Sequence, residues 1–260
     1  MSNPDVCVLK TDGINCDMEM SHAFEVAGAD AELVHINQLR SGERHLSDFS
    51  ILAIPGGFSY GDDIASGKVL ANELTSYLAD QLQQFADTEK PILGVCNGFQ
   101  VLVRTGLLPN HTIGEQQATL TENEVGRFDC RWVNLAVGQS ACRFMRPEDL
   151  PDQPLPMQTA HGEGRFFAAE ADINRLKTNR QVVFRYANAD PDTPVSYPAN
   201  PNGSADNIAG ICDRRGVILG MMPHPERSVE AYHPYHGLTN LARAGANLLF
   251  RNIVMYAKEM

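Results

Sequence analysis

The sequence predicts an α/β protein whose parallel sheet is covered by helices on both faces. Short apolar segments alternate along the chain with longer amphipathic segments, and glycine or proline stands at many of the boundaries between them. Strand, helix, strand, helix in that order is typical of parallel sheets whose strands are buried on both sides. Such sheets bind their ligands at the carboxyl ends of the strands, so the functional residues are expected there.

The elements can be followed in order from the N-terminus. Residues 6–9 are apolar throughout and predict a buried strand. Residues 17–27 predict an amphipathic helix, and Gly28 stands where a helix would stop. The remaining elements of this half are predicted as strands at 31–36, 51–54 and 92–95 and helices at 69–87 and 97–104.

The second half of the chain is less regular. Residues 130–137 alternate as an antiparallel or edge strand would, and residues 200–204 carry a strong turn signal. The Pro-rich stretch at 137–156 receives no role. Further elements are predicted as strands at 182–187, 208–212 and 217–220 and a closing helix at 239–258. With no internal repeat and no clear linker, residues 1–260 are expected to form a single domain.

Composition narrows the possible functions. The chain has 260 residues, 43% of them hydrophobic, and 21 Lys and Arg stand against 32 Asp and Glu for a net charge of −11. This balance disfavours nucleic-acid binding, which needs a dense basic face. An apolar run of membrane-spanning length and a secretory signal are both missing, so a cytoplasmic location is expected. The six cysteines form no metal-binding spacing, so no metal site is expected and most should be buried as small apolar residues.

One cysteine stands in a special setting at a predicted strand end. Residues 94–98 read Gly-Val-Cys-Asn-Gly, the G-x-nucleophile-x-G spacing of a nucleophile elbow. The flanking glycines leave room for a sharp turn from strand into helix, which pushes the central side chain out at the edge of the sheet. A helix N-terminus also favours a thiolate. We therefore expect Cys96 to be a nucleophile.

A thiolate nucleophile needs a base and a group that orients the base, and two His-x-Glu pairs could supply them. His161 and Glu163 form the first pair, and His224 and Glu226 form the second. The second pair follows the predicted strand 217–220 directly, and prolines on both sides of His224 restrict its backbone. We therefore favour His224 over His161 as the base. The neighbouring Pro-Gly-Gly corner at residues 55–57 could offer a backbone N–H to an oxyanion.

Several motifs resemble those of class I glutamine amidotransferases. The elbow at 94–100, the glycine-rich loop at 55–62 and Met-Pro-His-Pro-Glu-Arg at 222–227 carry this resemblance. Residues 161–166 and 200–204 narrow it to the glutaminase subunits of phosphoribosylformylglycinamidine synthases in purine synthesis. The resemblance runs from the first strand to the last helix, and it implies a flavodoxin-like open, mostly parallel sheet with an added β segment.

The resemblance also implies a role for individual residues. It makes Cys96 the nucleophile, His224 its acid and base, and Glu226 the residue that orients His224. Gly57 and Asn97 would supply the N–H groups of the oxyanion hole. Residues predicted to contact glutamine are Gln100, Gly162 and Glu163.

The resemblance further implies partners for this chain. The substrate would be L-glutamine, and a synthetase subunit would receive the ammonia, in many organisms with a third small subunit. No cofactor is expected in this chain, and ATP and Mg²⁺ are expected on the synthetase. The nearest approach to a phosphate loop, residues 61–69, has one residue too many between its glycines and valine in place of Ser or Thr.

Two alternatives stay open on the sequence. The chain could be a stand-alone cysteine hydrolase of similar fold, such as a DJ-1-like protein or a γ-glutamyl hydrolase. It could also be a non-catalytic regulatory partner in which Cys96 is merely buried. Glutamine hydrolysis with and without the synthetase would separate these possibilities.

Overall fold

The computed structural model describes residues 2–150, 153–190, 192–232 and 239–260. Within them lie eleven strands and seven α-helices. The strands are β1 Asp5–Lys10, β2 Asp30–His35, β3 Ile51–Ile54, β4 Ile92–Val95, β5 Ala118–Thr121, β6 Asp129–Val137, β7 Leu155–His161, β8 Arg165–Ala168, β9 Val182–Ala187, β10 Ile208–Cys212 and β11 Ile218–Met221. The helices are α1 Asp17–Val26, α2 Ile36–Ser41, α3 Lys68–Tyr77, α4 Ala79–Asp87, α5 Asn97–Thr105, α6 Glu170–Thr178 and α7 Thr239–Glu259.

One nine-stranded sheet organises the protein, in the order β2-β1-β3-β4-β11-β10-β9-β6-β7. The first five strands run parallel, in the arrangement of flavodoxin-like sheets. Every residue of β3, β4 and β11 is buried. Because successive side chains of a strand point to opposite faces, both faces of the sheet are covered there. The predicted α/β class is therefore confirmed.

Two pairs of helices pack against this sheet. Helix α1 packs on α7, and their Phe24 and Phe250 rings meet edge to face with centroids 5.0 Å apart. Helix α3 packs on α5, and α5 contacts β3, β4 and β11. No helix in the described part of the chain is long and apolar enough to cross a membrane.

The predicted added β segment is also confirmed. Strands β10, β9, β6 and β7 continue the large sheet in antiparallel fashion, and β5 and β8 form a separate two-stranded sheet. Strand β6 lies between β9 and β7, so it is antiparallel and is not an edge strand. Strand β6 begins and strand β7 ends at the edge of the sheet where the parallel strands have their carboxyl ends.

Two predicted boundaries are wrong. The helix predicted at 69–87 is two helices, because Leu78 leaves the helical conformation with φ −124° and ψ 14°. Leu78 stays in the core, so the apolar spacing continues across the break and does not reveal it. Ile36 belongs to helix α2 and not to the preceding strand. His35 ends the strand, since its ring accepts the Asn37 N–H at the start of α2.

The structure contains elements that the sequence did not indicate, namely β5, β7, β8, α2 and α6. The Pro-rich stretch leads into β7, an edge strand in which Pro156 lies opposite Asn134. Proline cannot donate a hydrogen bond and is tolerated at sheet edges. Residues 151–152 of that stretch lie outside the described residues.

Candidate active site

The carboxyl ends of β1, β3, β4 and β11 meet beside a cavity of about 180 Å³. Its lining includes six of the residues predicted from the sequence as the nucleophile, the base, the oxyanion hole and the glutamine contacts. These residues are Cys96, His224, Gly57, Gln100, Glu163 and Gly162. The fold therefore brings together residues that are up to 167 positions apart in the chain, from Gly57 to His224.

Cys96 occupies the sharp turn between β4 and α5. Its φ of 52° and ψ of −107° are unusual for a residue with a side chain, and strain of this kind is typical of functional sites. A Cβ on Gly98 would lie 1.8 Å from the Ile54 carbonyl oxygen, and one on Gly94 would lie 2.5 Å from Leu102 Cδ1. Both glycines are therefore required by close packing around the turn.

His224 and Glu226 form a buried pair next to Cys96. Nδ1 of His224 lies 2.6 Å from Oε1 of Glu226, and the two residues are 1% and 0% exposed. The backbone of His224 is held as well, since its N–H donates to the Gln158 carbonyl at 2.8 Å. The carboxylate therefore fixes the ring so that Nδ1 carries a proton and Nε2 is available for chemistry.

The electrostatics of this pair favour a charged imidazole. Burial disfavours the charged ring, but the Glu226 carboxylate and the neighbouring Cys96 and Cys16 thiols outweigh this, so the pKa of His224 lies well above 6.5. A charged imidazole beside a thiol stabilises the thiolate. This arrangement is suited to an ion pair of nucleophile and acid.

Gly56 lies next to the side chains of Cys96, Cys16 and His224. A Cβ at this position would lie 2.8 Å from Cε1 of His224, 3.3 Å from Cβ of Cys96 and 3.3 Å from Sγ of Cys16. All three side chains therefore converge on the space that the glycine leaves open. The Pro-Gly-Gly corner at 55–57 thus has a packing role that the sequence alone did not reveal.

His161 lies at the same cavity but is engaged elsewhere. Its Nδ1 lies 3.1 Å from the Asn123 amide oxygen, and its Nε2 lies 3.4 Å from the Asn202 amide nitrogen. Burial, with a further contribution from His224, lowers the pKa of His161 to about 4. A neutral ring with both nitrogens occupied is suited to a structural role.

Two of the predicted glutamine contacts, Gln100 and Glu163, are held in one hydrogen-bond network. Gln100 donates its amide to the Glu163 carbonyl at 2.6 Å, and the Glu163 carboxylate accepts the Ser66 N–H at 3.2 Å. The Asn97 side chain accepts the Ser59 N–H and donates to Gln100. These contacts fix the loop after β3 against the first turn of α5, whose N–H groups are candidates for an oxyanion hole.

The loop at 61–69, which approaches a phosphate-binding loop in sequence, holds a carboxylate in the structure. Asp62 accepts hydrogen bonds from the Ser66 hydroxyl and the Gly67 N–H, so a carboxylate already occupies this turn. Burial raises the pKa of Asp62, although its hydrogen bonds act in the opposite direction. Asp62 lines the cavity and was not identified from the sequence.

A second cysteine lies in the cavity. Cys16 is buried at the start of α1, and its sulfur accepts a hydrogen bond from Nη2 of Arg227 at 3.1 Å. Both residues line the cavity. The rule that ligands bind at strand ends could have indicated Cys16, since it follows β1, but the sequence shows nothing that brings it close to His224. Cys7, Cys142 and Cys212 are buried as expected, and Cys130 is exposed.

A strained cysteine with a buried His–Glu pair, at the carboxyl edge of a parallel sheet, defines a class of cysteine-dependent hydrolases and acyl-transfer enzymes. The comparisons with known proteins narrow this class. The family of CobB/CobQ-like glutamine amidotransferase domains matches residues 3–257.

Individual proteins are also similar to the chain over most of its length. The phosphoribosylformylglycinamidine synthase subunit PurQ of Dehalococcoides mccartyi is 44% identical over 263 residues, covering 100% of both chains. That of Methanococcus maripaludis strain S2 is 45% identical over 229 residues, or 87% of this chain and 83% of the relative. A solved structure described as PurLQS from Thermotoga maritima has a TM-score of 0.74 and 31% identity, covering 98% of this chain and 99% of that one.

The chain belongs to the CobB/CobQ-like glutamine amidotransferase family, in the group of PurQ subunits of phosphoribosylformylglycinamidine synthase. It is therefore an enzyme, a glutamine amidotransferase, and the resemblance inferred from its motifs is confirmed.

Proposed function

We propose that this chain hydrolyses L-glutamine to glutamate and ammonia and delivers the ammonia to a synthetase subunit. The synthetase converts formylglycinamide ribonucleotide to formylglycinamidine ribonucleotide in an ATP-dependent step of purine synthesis. The relatives named PurQ support this assignment. The main observation that supports glutamine hydrolysis is that Cys96 lies at a strained turn beside the buried pair of His224 and Glu226.

The reaction begins with the Cys96 thiolate, which attacks the carbon of the glutamine side-chain amide. The backbone N–H groups of Gly57 and Asn97 stabilise the oxyanion that forms. The His224 imidazolium donates its Nε2 proton to the departing nitrogen, which leaves as ammonia. A γ-glutamyl thioester on Cys96 remains.

The second half of the reaction regenerates the enzyme. Neutral His224 accepts a proton from water, and the resulting hydroxide attacks the thioester carbonyl. The tetrahedral intermediate collapses, expels the Cys96 thiolate and releases glutamate. Glu226 stabilises the imidazolium in both halves without exchanging a proton itself.

Glutamine is oriented by the network around Gln100. Gln100, Gly162 and Glu163 contact its amino-acid end in this proposal, and all three line the cavity. The Glu163 carboxylate and the adjacent Asp62 provide negative charge that suits an α-ammonium group. Their hydrogen bonds to the loop at 62–67 keep the cavity shaped before glutamine arrives.

Ammonia that escaped to water would be protonated and lost as a nucleophile, so we propose that the synthetase covers the cavity. The mouth carries two partly exposed rings, Phe58 and Phe128, with centroids 6.4 Å apart. Exposed aromatic side chains next to a site are typical of binding surfaces. We also propose a third small subunit, a cytoplasmic location, no cofactor in this chain, and ATP and Mg²⁺ on the synthetase.

The test compares two nitrogen sources in the assembled complex. Cys96→Ala is expected to abolish glutamine-dependent synthesis of formylglycinamidine ribonucleotide while synthesis from added ammonium salt continues. Cys130→Ser, which changes an exposed cysteine, is the matched control and should leave both activities unchanged. Glutamine-dependent synthesis by the Cys96→Ala complex would overturn the assigned nucleophile.

A further inference from the structure

One buried residue, Asn123, holds together two segments that border the cavity. It lies in the loop between β5 and β6 and is 3% exposed. Its hydrogen bonds reach the turn between β7 and β8, where Gly162 and Glu163 line the cavity. We propose that Asn123 is a positioning residue for glutamine, because it fixes this turn in the shape that the amino-acid end of glutamine requires. The role rests on the proposed function, since it concerns the same site.

The turn is bound to Asn123 at both of its ends. The backbone N–H of Asn123 donates to the Gly162 carbonyl at 2.8 Å, and its side-chain amide donates to the His161 carbonyl at 2.8 Å. The side-chain oxygen accepts the Gly164 N–H at 3.1 Å. Glu163 stands between these bonded groups, so the place of its backbone in the cavity is set by Asn123.

Two further residues tie the same turn to the rest of the site. Gln100 donates its amide to the Glu163 carbonyl at 2.6 Å, and Asn202 donates to the Gly164 carbonyl at 2.9 Å. Gln100 lies in the first turn of α5, four residues after Cys96. The turn is therefore held at a fixed place relative to the nucleophile.

The ring of His161 fills the space under the turn. A Cβ on Gly164 would lie 2.4 Å from Nδ1 of His161, so the turn can fold this closely over the ring only with glycine there. The amide of Asn202 donates to Nε2 at 3.4 Å, because its oxygen already accepts the Ser204 O–H at 2.7 Å. Nδ1 therefore carries the proton and donates to the Asn123 oxygen at 3.1 Å. The neutral ring is a spacer between the two asparagines.

Asn123 also fixes the aromatic wall of the cavity. Its amide donates to the Arg127 carbonyl at 2.9 Å, and the next residue, Phe128, lines the cavity. Phe128 lies against the turn, with its Cδ2 3.9 Å from the position of a Cβ on Gly162. Loss of the Asn123 amide should loosen both walls together, since buried groups left without hydrogen-bond partners are costly. These hydrogen bonds do not involve the nucleophile or its base, so the reactivity of the thiol should be kept.

The first measurement is the steady-state hydrolysis of glutamine by the synthetase complex. In Asn123→Ala the KM for glutamine should rise about ten- to 100-fold, the effect of losing hydrogen bonds to buried groups. The kcat should fall less than about three-fold, because binding is weakened and the reacting groups are not displaced. Gln181→Ala is the matched control, since its similarly buried amide donates to the Pro109 and Cys212 carbonyls, which do not line the cavity. Its KM should stay at the wild-type value.

The second measurement compares two reagents that modify Cys96 in the complex. A glutamine-mimicking electrophile carries an α-amino acid group, whereas iodoacetamide does not. Asn123→Ala should slow modification by the first reagent about ten-fold or more and leave the rate with iodoacetamide within about two-fold of wild type. Asn202→Ala, which removes a hydrogen bond from a different loop, should shift the ratio of the two rates in the same direction. Folding of each variant is checked by its thermal transition.

The outcomes separate this role from the proposed function. A wild-type KM and an unchanged ratio of rates in folded Asn123→Ala, or an equal loss with both reagents, would overturn the positioning role. A similar rise of the KM in Gln181→Ala would do the same, because general destabilisation would then be sufficient. Asn202→Ala is judged by the same outcomes should Asn123→Ala fail to fold. Failure of the proposed function would appear already in the wild-type complex, as no glutamine hydrolysis and no modification of Cys96 by the glutamine-mimicking electrophile.

Discussion

Nδ1 of His224 lies 2.6 Å from Oε1 of Glu226, and both residues are almost completely buried. A carboxylate in this position both selects the proton position on the ring and stabilises the charged ring. The pair therefore explains how a histidine that is fully buried can still carry a proton beside Cys96. His161 stands in the same His-x-Glu sequence pattern as His224, but its ring nitrogens lie next to the amides of Asn123 and Asn202 and not next to a carboxylate.

Removing the charge of Glu226 should impair catalysis without displacing the ring. In Glu226→Gln the pKa of His224 should fall, because burial remains and the opposing carboxylate is gone. We expect the rate of glutamine hydrolysis in the complex to fall by about 10²–10⁴-fold. Glu148→Gln, which changes an exposed acid, is the control. A loss below about ten-fold would contradict the orienting role of Glu226.

His161 should make the protein sensitive to acid. Its pKa of about 4 in the folded state lies below the ordinary 6.5, so the unfolded chain binds more protons between these values. The free energy of unfolding should therefore fall as the pH falls from about 6.5 to 4, by roughly 3 kcal/mol from this residue.

This contribution can be isolated by substitution. His161→Gln removes the titrating ring and keeps a side chain that can form hydrogen bonds to Asn123 and Asn202. Denaturant unfolding across the acidic range should show a shallower loss of stability for the variant than for wild type. His224 acts in the opposite direction: with its raised pKa, its stabilising contribution is present below pH 6.5 and declines as the pH rises through the folded-state pKa. Identical slopes for the two proteins would show that His161 is not neutral when folded.

Gly56 provides a test of the geometry between thiol and imidazole. The Cβ of Gly56→Ala would lie 2.8 Å from His224 Cε1 and 3.3 Å from Cys96 Cβ, so the ring must shift and its spacing from Cys96 must change. We expect the turnover rate to fall about 100-fold, because a misplacement of about 1 Å is enough for a loss of this size. Gly126→Ala serves as the control for a strained glycine substitution, since its φ is 65° but nothing lies within 4 Å of its added Cβ. Full activity of a folded Gly56→Ala protein would show that catalysis does not require the observed spacing between Cys96 and His224.

The sequence predicted which residues meet at the site better than how they are packed there. Cys96 and His224 could be found because each directly follows an apolar strand, and strand ends meet at one edge of a parallel sheet. Glu226 lies two residues from His224 and is brought to the ring by a tight turn. These relationships depend on short stretches of chain, so a single sequence contains them.

The missed features depend on contacts between distant segments. Asn123 and Asn202 hold His161 from two separate loops, and neither has a distinctive spacing from it. Cys16 reaches His224 through the packing of α1 beside the corner at Gly56. The break at Leu78 preserves the apolar spacing on both sides, so periodicity alone predicts one continuous helix.

In the proposed reaction, the sulfur of Cys96 attacks glutamine. The most direct measurement treats the synthetase complex with a glutamine-mimicking electrophile and maps the covalent adduct by mass spectrometry of peptides. We predict one adduct, on Cys96, whose formation is prevented by excess glutamine and slowed in Glu226→Gln. An adduct on Cys16 or Cys130, with Cys96 unmodified, would contradict it.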